Sequence, residues 1–130
     1  MTATFGPQLI GETEKTLNAL LLRSLAGSGL DERMWVTLRV ASQYDGPAGG
    51  LAARVADRAH FESADRLVQA LEHTGLIVNE RPTPKGQELM RKVLGGNSGI
   101  WQDVPDAEAA ARALATVLDR ARAAIADEHC

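Results

Sequence analysis

Residues 51–77, LAARVADRAHFESADRLVQALEHTGLI, carry the most informative pattern in the chain. Its apolar residues recur at helical spacing in two short segments, which a brief turn separates. In the second segment, Ala64, Leu67, Val68 and Leu71 fall on one helical face. A glycine after that face is typical of a helix C-terminus, and the apolar residues beyond it are typical of a strand. The pattern therefore predicts a helix at 51–58, a turn at 59–61, a helix at 62–74, a cap at Gly75 and a strand at 76–78.

Two short helices followed directly by a strand are typical of a helix-turn-helix that leads into a wing. In such modules the second helix enters the major groove of DNA, and its exposed side chains meet bases and phosphates. On the predicted second helix, the side that faces away from the apolar residues carries Glu62, Ser63, Asp65, Arg66, Gln69 and His73.

Further amphipathic helices are predicted on both sides of residues 51–77. They cover 8–26 and 31–43 before it, and 85–94 and 105–127 after it, with a glycine-rich break at 95–99. We expect a mainly α fold, a winged helix-turn-helix with N- and C-terminal dimerisation helices and a very short wing. The expected domain is single and covers 1–130, with dimerisation helices at 8–29 and 95–130 and the winged core at 30–94.

The composition agrees with a helical, globular chain. Among 130 residues there are 21 Ala and 16 Leu but only 4% aromatic residues. The single cysteine, Cys130, excludes a disulfide within the chain and a cysteine-based zinc site. There is no basic start followed by an apolar segment, and no apolar stretch approaches the roughly 18 residues of a membrane span. We therefore expect a cytoplasmic protein without a membrane partner.

Five segments carry a resemblance to a known family. The runs at 51–57 and 66–77 resemble the core of MarR-type winged-helix regulators, and the segment 34–39 resembles their second helix. The sequence Pro-Thr-Pro-Lys-Gly at 82–86 is similar to the segment that follows their wing. Residues 101–105 leading into 114–118 are similar to the C-terminal helix of actinobacterial members. The resemblance covers most of the chain, from about Thr13 to Ala126.

The resemblance implies a homodimer that binds operator DNA. It also implies that a small ligand, commonly phenolic, releases the DNA from a position between the dimerisation and DNA-binding regions. A two-fold dimer presents two recognition helices to a palindromic site.

The sequence departs from this family in its wing and its charge. Only residues 78–82 separate the predicted strand from Thr83, where the family has a longer hairpin with an arginine at its tip; Arg81 is the candidate replacement. Glu62 and Asp65 lie where the family tends to have small polar residues. Between Gly29 and Lys92 there are nine basic and nine acidic residues, so the net charge of −3 comes from the flanking helices.

The candidate DNA-binding residues follow from the helix-turn-helix and the wing. They are Arg54, Arg58, Ser63, Arg66, Gln69 and Arg81. For Arg66, an ion pair with Glu62 one turn earlier is an equally good interpretation, and Ser63 and Gln69 fit solvated positions as well.

Two tryptophans, Trp35 and Trp101, are candidates for the wall of a ligand pocket, since aromatic walls suit phenolic ligands. Packing in the core or in a dimer is the more common use of such residues. The histidines His60 and His73 fit surface positions better than metal sites, and we expect no metal, no cofactor and no enzyme activity, since no nucleophile or phosphate-loop motif is present.

Two functions remain open at this point. The first is a MarR-type DNA-binding transcriptional regulator that acts as a homodimer with helix 62–74 in the major groove and responds to a ligand. The second is a degenerate winged-helix protein that serves as a ligand-sensing or protein-interaction module without independent DNA binding. The first is the leading hypothesis, and the short wing and the neutral middle of the chain motivate the second.

Overall fold

The computed structural model describes residues 4–128; Cys130 lies outside them. The chain divides into two compact units, with the boundary between Asn97 and Ser98. Within the described range there are six α-helices and one two-stranded antiparallel sheet. The prediction of a mainly α fold is confirmed, and the prediction of one domain over 1–130 stays a prediction.

The first two helices are α1, Pro7–Leu25, and α2, Glu32–Gln43. Proline at the first position of α1 suits a helix start, because its missing N–H has no partner there in any case. Asp31 caps α2, since its carboxylate accepts a hydrogen bond from the Met34 amide at 2.8 Å. This bond satisfies one of the amide donors that every helix leaves unpaired at its N-terminus.

The next helices are α3, Leu51–Ala59, and α4, Ala64–His73. Strands β1, Ile77–Val78, and β2, Arg81–Pro82, then form a hairpin in which Val78 faces Arg81 and Ile77 faces Pro82. Helix α5, Pro84–Gly96, completes the first unit. Its N-cap Thr83 accepts a hydrogen bond from the Gly86 amide at 3.1 Å and donates one to the Gly75 carbonyl at 2.6 Å.

The core of the first unit lies where α4 packs on α2 and α3. Its most deeply buried members come from these three helices and are Thr37, Leu38, Leu51, Val55 and Leu71. The Thr37 hydroxyl is satisfied, because it donates to the Arg33 carbonyl at 2.8 Å. A Cβ at Gly86 would overlap the Leu76 carbonyl oxygen, so this glycine lets α5 approach the backbone just before β1 closely.

The second unit contains a short 3-10 helix, Ser98–Trp101, and helix α6, Ala107–Glu128. None of the residues 107–127 is buried. The apolar stripe that the sequence predicts on this helix is exposed to between 40% and 48% at Leu114, Val117, Leu118 and Ile125.

Three predicted boundaries need correction. The helix predicted from residue 62 begins at Ala64, because Ser63 takes a left-handed conformation with a φ of 57°. The helix predicted to end at 94 continues through Gly95 and Gly96, so the glycine-rich break begins later. The last helix begins at Ala107 rather than at Pro105, since Asp106 also has a left-handed φ, 54°.

Among residues 4–128 no helix combines the length and apolarity that crossing a bilayer requires.

Candidate nucleic-acid interface

The turn between α3 and α4, residues 60–63, is held by a residue from α2. Both His60 and Ser63 have a φ of 57°, in the left-handed region that non-glycine residues seldom adopt. Arg33 donates a hydrogen bond from Nη2 to the Glu62 carbonyl at 2.8 Å, and its guanidinium lies 5.0 Å from the centre of the Phe61 ring. Arg33 therefore fixes the turn that aims the N-terminus of α4.

The outer face of α4 is exposed to solvent. Arg66, Gln69 and His73 follow one another at spacings of three and four residues, so they share one side of the helix. Ser63 is exposed at the N-cap position, and its side chain makes no capping hydrogen bond. The carboxylates of Asp65 and Glu72 lie on the same exposed surface of the helix. This face offers Arg66 and the polar side chains of Ser63, Gln69 and His73 beside two negative charges.

The alternative pairing of Arg66 with Glu62 is absent from the part of the chain that the structure describes. Glu62 precedes α4 instead of forming its first turn, and so the one-turn helical spacing that the pair needs does not arise. The Arg66 guanidinium has no acidic partner among residues 4–128.

The two arginines of α3 have different surroundings. The guanidinium of Arg54 lies 5.2 Å from the centre of the Tyr44 ring and 4.0 Å from the Asp45 carboxylate, and its side chain is 33% exposed. Arg58, in the last turn of α3, is exposed and has no ion pair within the described range. Of these two candidates, Arg58 is the one that can move to a phosphate without giving up an internal contact.

The hairpin carries the remaining basic candidate. Arg81 begins β2 and is exposed. The residue before it, Glu80, turns its carboxylate to the N-terminus of α3, where it accepts hydrogen bonds from the Gly49 amide and, at 2.7 Å, from the Leu51 amide. The hairpin tip is thus bound to the N-terminus of α3.

Arg33 and Glu80 are the two residues at this surface that sequence reasoning missed. Both act across 29 residues of chain, Arg33 on Glu62 and Glu80 on Leu51. A partial signal exists for Glu80, because the N-cap Gly50 has no side chain to satisfy the amides of α3. Nothing in the sequence pattern names which distant acceptor takes its place.

The two tryptophans belong to different compact units. Trp35 is 5% exposed and lies in the core of the first unit, whereas Trp101 is 65% exposed in the 3-10 helix of the second. Their use as walls of a ligand pocket stays a prediction.

A surface cavity of about 390 Å³ lies elsewhere in the first unit, and neither tryptophan lines it. Its apolar lining comes from Leu30, Leu76 and Leu89, and two lysines, Lys85 and Lys92, stand at it. Lys85 is engaged, since its ammonium donates to the Thr74 carbonyl at the end of α4 at 3.1 Å. The volume falls in the range of small-molecule sites, about 300–1,000 Å³.

Among residues 4–128, no three His, Cys, Asp or Glu side chains are grouped as metal ligands would be.

Comparison of the chain with protein-family models, with curated proteins and with solved structures found no match.

Proposed function

We propose that this protein is a DNA-binding transcriptional regulator of the MarR type, which acts as a homodimer and places α4 in the major groove. The observation that carries the proposal is the exposed outer face of α4, set on a turn that Arg33 holds. That face carries Arg66 and Gln69, and the Ser63 hydroxyl beside it makes no capping hydrogen bond. Side chains of these three types donate hydrogen bonds to base edges and phosphates.

The charges of this surface favour a DNA-binding unit of two copies. Phosphate neutralisation supplies much of the affinity of DNA-binding proteins, and of the four candidate arginines only Arg58, Arg66 and Arg81 are exposed and make no ion pair in the described range. Asp65 and Glu72 oppose them. A two-fold dimer doubles the number of phosphate contacts and reads two half-sites, so the weak single module becomes sufficient.

A second copy of the chain also accounts for the exposed apolar stripe of α6. Helix α6 exposes Leu114, Val117, Leu118 and Ile125 on one stripe. Exposed apolar stripes of this length are uncommon on monomeric proteins. An isologous contact between two copies covers each stripe with its own counterpart.

The direct test is selection of bound duplex DNA from a random library by the purified chain, begun near 50 mM salt, where phosphate contacts are strongest. We expect enrichment of a palindromic sequence. Arg66→Ala should weaken binding to it by about 1–3 kcal/mol. Arg112→Ala removes the same charge from an exposed position on α6 and serves as the control, with binding unchanged. Absence of any enriched duplex at low salt would contradict the proposal.

A second function is supported by different observations. The neutral charge between Gly29 and Lys92, the engagement of Arg54 by Tyr44 and Asp45, and the cavity at Leu30, Leu76 and Leu89 suit a ligand-sensing or protein-interaction module without independent DNA binding. On this proposal the selection experiment yields no DNA, while a small aromatic carboxylate such as benzoate shifts the amide resonances of the cavity residues. A specific footprint on DNA would refute it.

A further inference from the structure

Both residues at the hairpin tip have a left-handed backbone conformation, which the preference of Glu80 itself does not explain. Asn79 and Glu80 have φ values of 51° and 66°. Positive φ at both loop residues matches the twist of a two-residue hairpin, and asparagine tolerates it. Glutamate has no such local preference. A contact outside the hairpin must therefore hold Glu80 in place.

That contact is the N-terminus of α3. The Glu80 carboxylate accepts the amide hydrogens of Gly49 and Leu51, the latter at 2.7 Å. These amides have no partner within the helix, and the N-cap Gly50 makes no side-chain capping bond. A carboxylate is favoured there both as an acceptor and by the positive end of the helix dipole. Glu80 is a remote cap of α3, and it binds the tip of the hairpin to the helix-turn-helix.

The base of the hairpin is held independently of Glu80. The Thr83 amide donates to the Leu76 carbonyl at 2.9 Å, the Thr83 hydroxyl donates to the Gly75 carbonyl, and Leu76 and Ile77 are buried. Removal of the Glu80 carboxylate should release the tip and leave the base folded. A two-stranded hairpin this short has little stability of its own, so the direction of its tip depends on the tip contact.

Arg81 is the residue whose position this contact controls. It follows Glu80 directly, pairs with Val78 across the hairpin and is exposed. We propose that Glu80 is a positioning residue for DNA binding: by capping α3, it holds Arg81 in the orientation from which the guanidinium reaches the DNA backbone. This inference rests on the proposed DNA-binding function and adds to it the means by which so short a hairpin contributes.

The proposal predicts that removal of the Glu80 carboxylate weakens DNA binding, which is the opposite of what its charge alone predicts. A carboxylate near DNA repels phosphates, so its removal should tighten binding if charge alone matters. If Glu80 positions Arg81, Glu80→Ala should weaken binding of the selected duplex about five- to tenfold. The slope of log Kobs against log salt should then fall in magnitude by about one per subunit. Glu80→Gln retains one acceptor without the charge and should show a partial loss.

Two controls separate the explanations. Glu72→Ala removes an exposed carboxylate from the DNA-facing surface of α4 that makes no side-chain hydrogen bond or ion pair in the described range, and it should tighten binding because a charge that repels phosphates is gone. In an Arg81→Ala background, Glu80→Ala should cause no further loss, because the group that it positions is gone. Additive losses in the double variant would overturn the proposal.

Amide hydrogen exchange reads the contact without DNA. In Glu80→Ala the amides of Gly49 and Leu51 should exchange faster while those of the core of α4 stay protected. Unchanged exchange at the two amides would overturn the capping role. If the wild-type chain retains no duplex at low salt, the proposed function fails and the positioning role falls with it. If the wild type binds and Glu80→Ala binds equally or more tightly, only the role of Glu80 is refuted.

Discussion

Helices α4 and α6 are both amphipathic, yet only α4 has its apolar face covered within its own compact unit. Leu71 of α4 is fully buried where this helix packs on α2 and α3, whereas Leu118 of α6 is 48% exposed. The same kind of helical pattern is therefore buried in one helix and exposed in the other. The pattern indicates that a face needs burial, but not whether the cover comes from the same chain or from a partner.

The largest expected effect comes from opening a cavity under α4. Leu71→Ala should lower the free energy of unfolding by about 2–5 kcal/mol, because it removes buried methyl groups from a site with little room to relax. Urea denaturation followed by circular dichroism measures the loss. The loss should be the same at different protein concentrations, since the cover of α4 is intramolecular. A loss below 1 kcal/mol would show that α4 is less firmly packed than its burial indicates.

The next effect concerns the proposed cover of α6. The double change Leu114→Ala and Leu118→Ala should raise the dissociation constant of the homodimer about a hundredfold, because each truncated side chain loses apolar contact with the second copy. Sedimentation velocity over a range of concentrations measures it.

The control for this prediction is Thr116→Ala. Thr116 lies on the opposite side of α6, and its hydroxyl donates to the Arg112 carbonyl of the same helix. The substitution should leave the dissociation constant unchanged. A wild-type chain that sediments as a monomer at all concentrations would contradict the proposed dimer and leave the stripe on α6 without this explanation.

A smaller effect should follow from loosening the turn that leads into α4. Arg33→Ala removes the hydrogen bond to the Glu62 carbonyl and the contact with the Phe61 ring, and it should cost about 1 kcal/mol of unfolding free energy. Faster amide exchange should be confined to the turn and the first turn of α4. Uniform destabilisation of the whole unit would instead indicate that Arg33 acts through the core.

The smallest effect is expected at the exposed ion pair between Glu88 and Arg91 on α5, which lies outside the compared helices α4 and α6. The hydrogen bond from Arg91 lowers the pKa of the Glu88 carboxyl, with smaller contributions from the charges of Arg91 and Lys92. A lowered pKa means that the pair stabilises the folded chain above the ordinary pKa of glutamate and loses this contribution as the pH falls through the lowered value.

Glu88→Gln should therefore differ slightly from the wild type at neutral pH and match it in acid, and thermal unfolding at both pH values checks this. Exposed pairs contribute little, so this variant gives the baseline against which the effects on α4 and α6 are read. A difference that persists below the lowered pKa would show that the side chain acts through something other than its charge.

Much of the fold could be predicted from local sequence. The apolar spacing at 64–71 located α4 to within two residues, because helical periodicity depends on neighbours in the chain. The left-handed φ of Ser63 moved the start of α4, since no local motif specifies that conformation for serine. For the candidate interface, the sequence identified which residues are exposed on α4 but missed that Arg54 has internal partners.

Local sequence was enough to predict the helical periodicity, the glycine cap after α4, the order of elements and the even balance of charge in the middle of the chain. These properties depend on residues within a few positions of one another, where propensity and spacing act directly. Only the tertiary structure decided that Glu80 caps α3, that Arg33 holds the turn before α4, and that Arg54 lies against Tyr44. The contacts made by Glu80 and Arg33 join residues 29 positions apart, and their partners become neighbours only once the helices have packed.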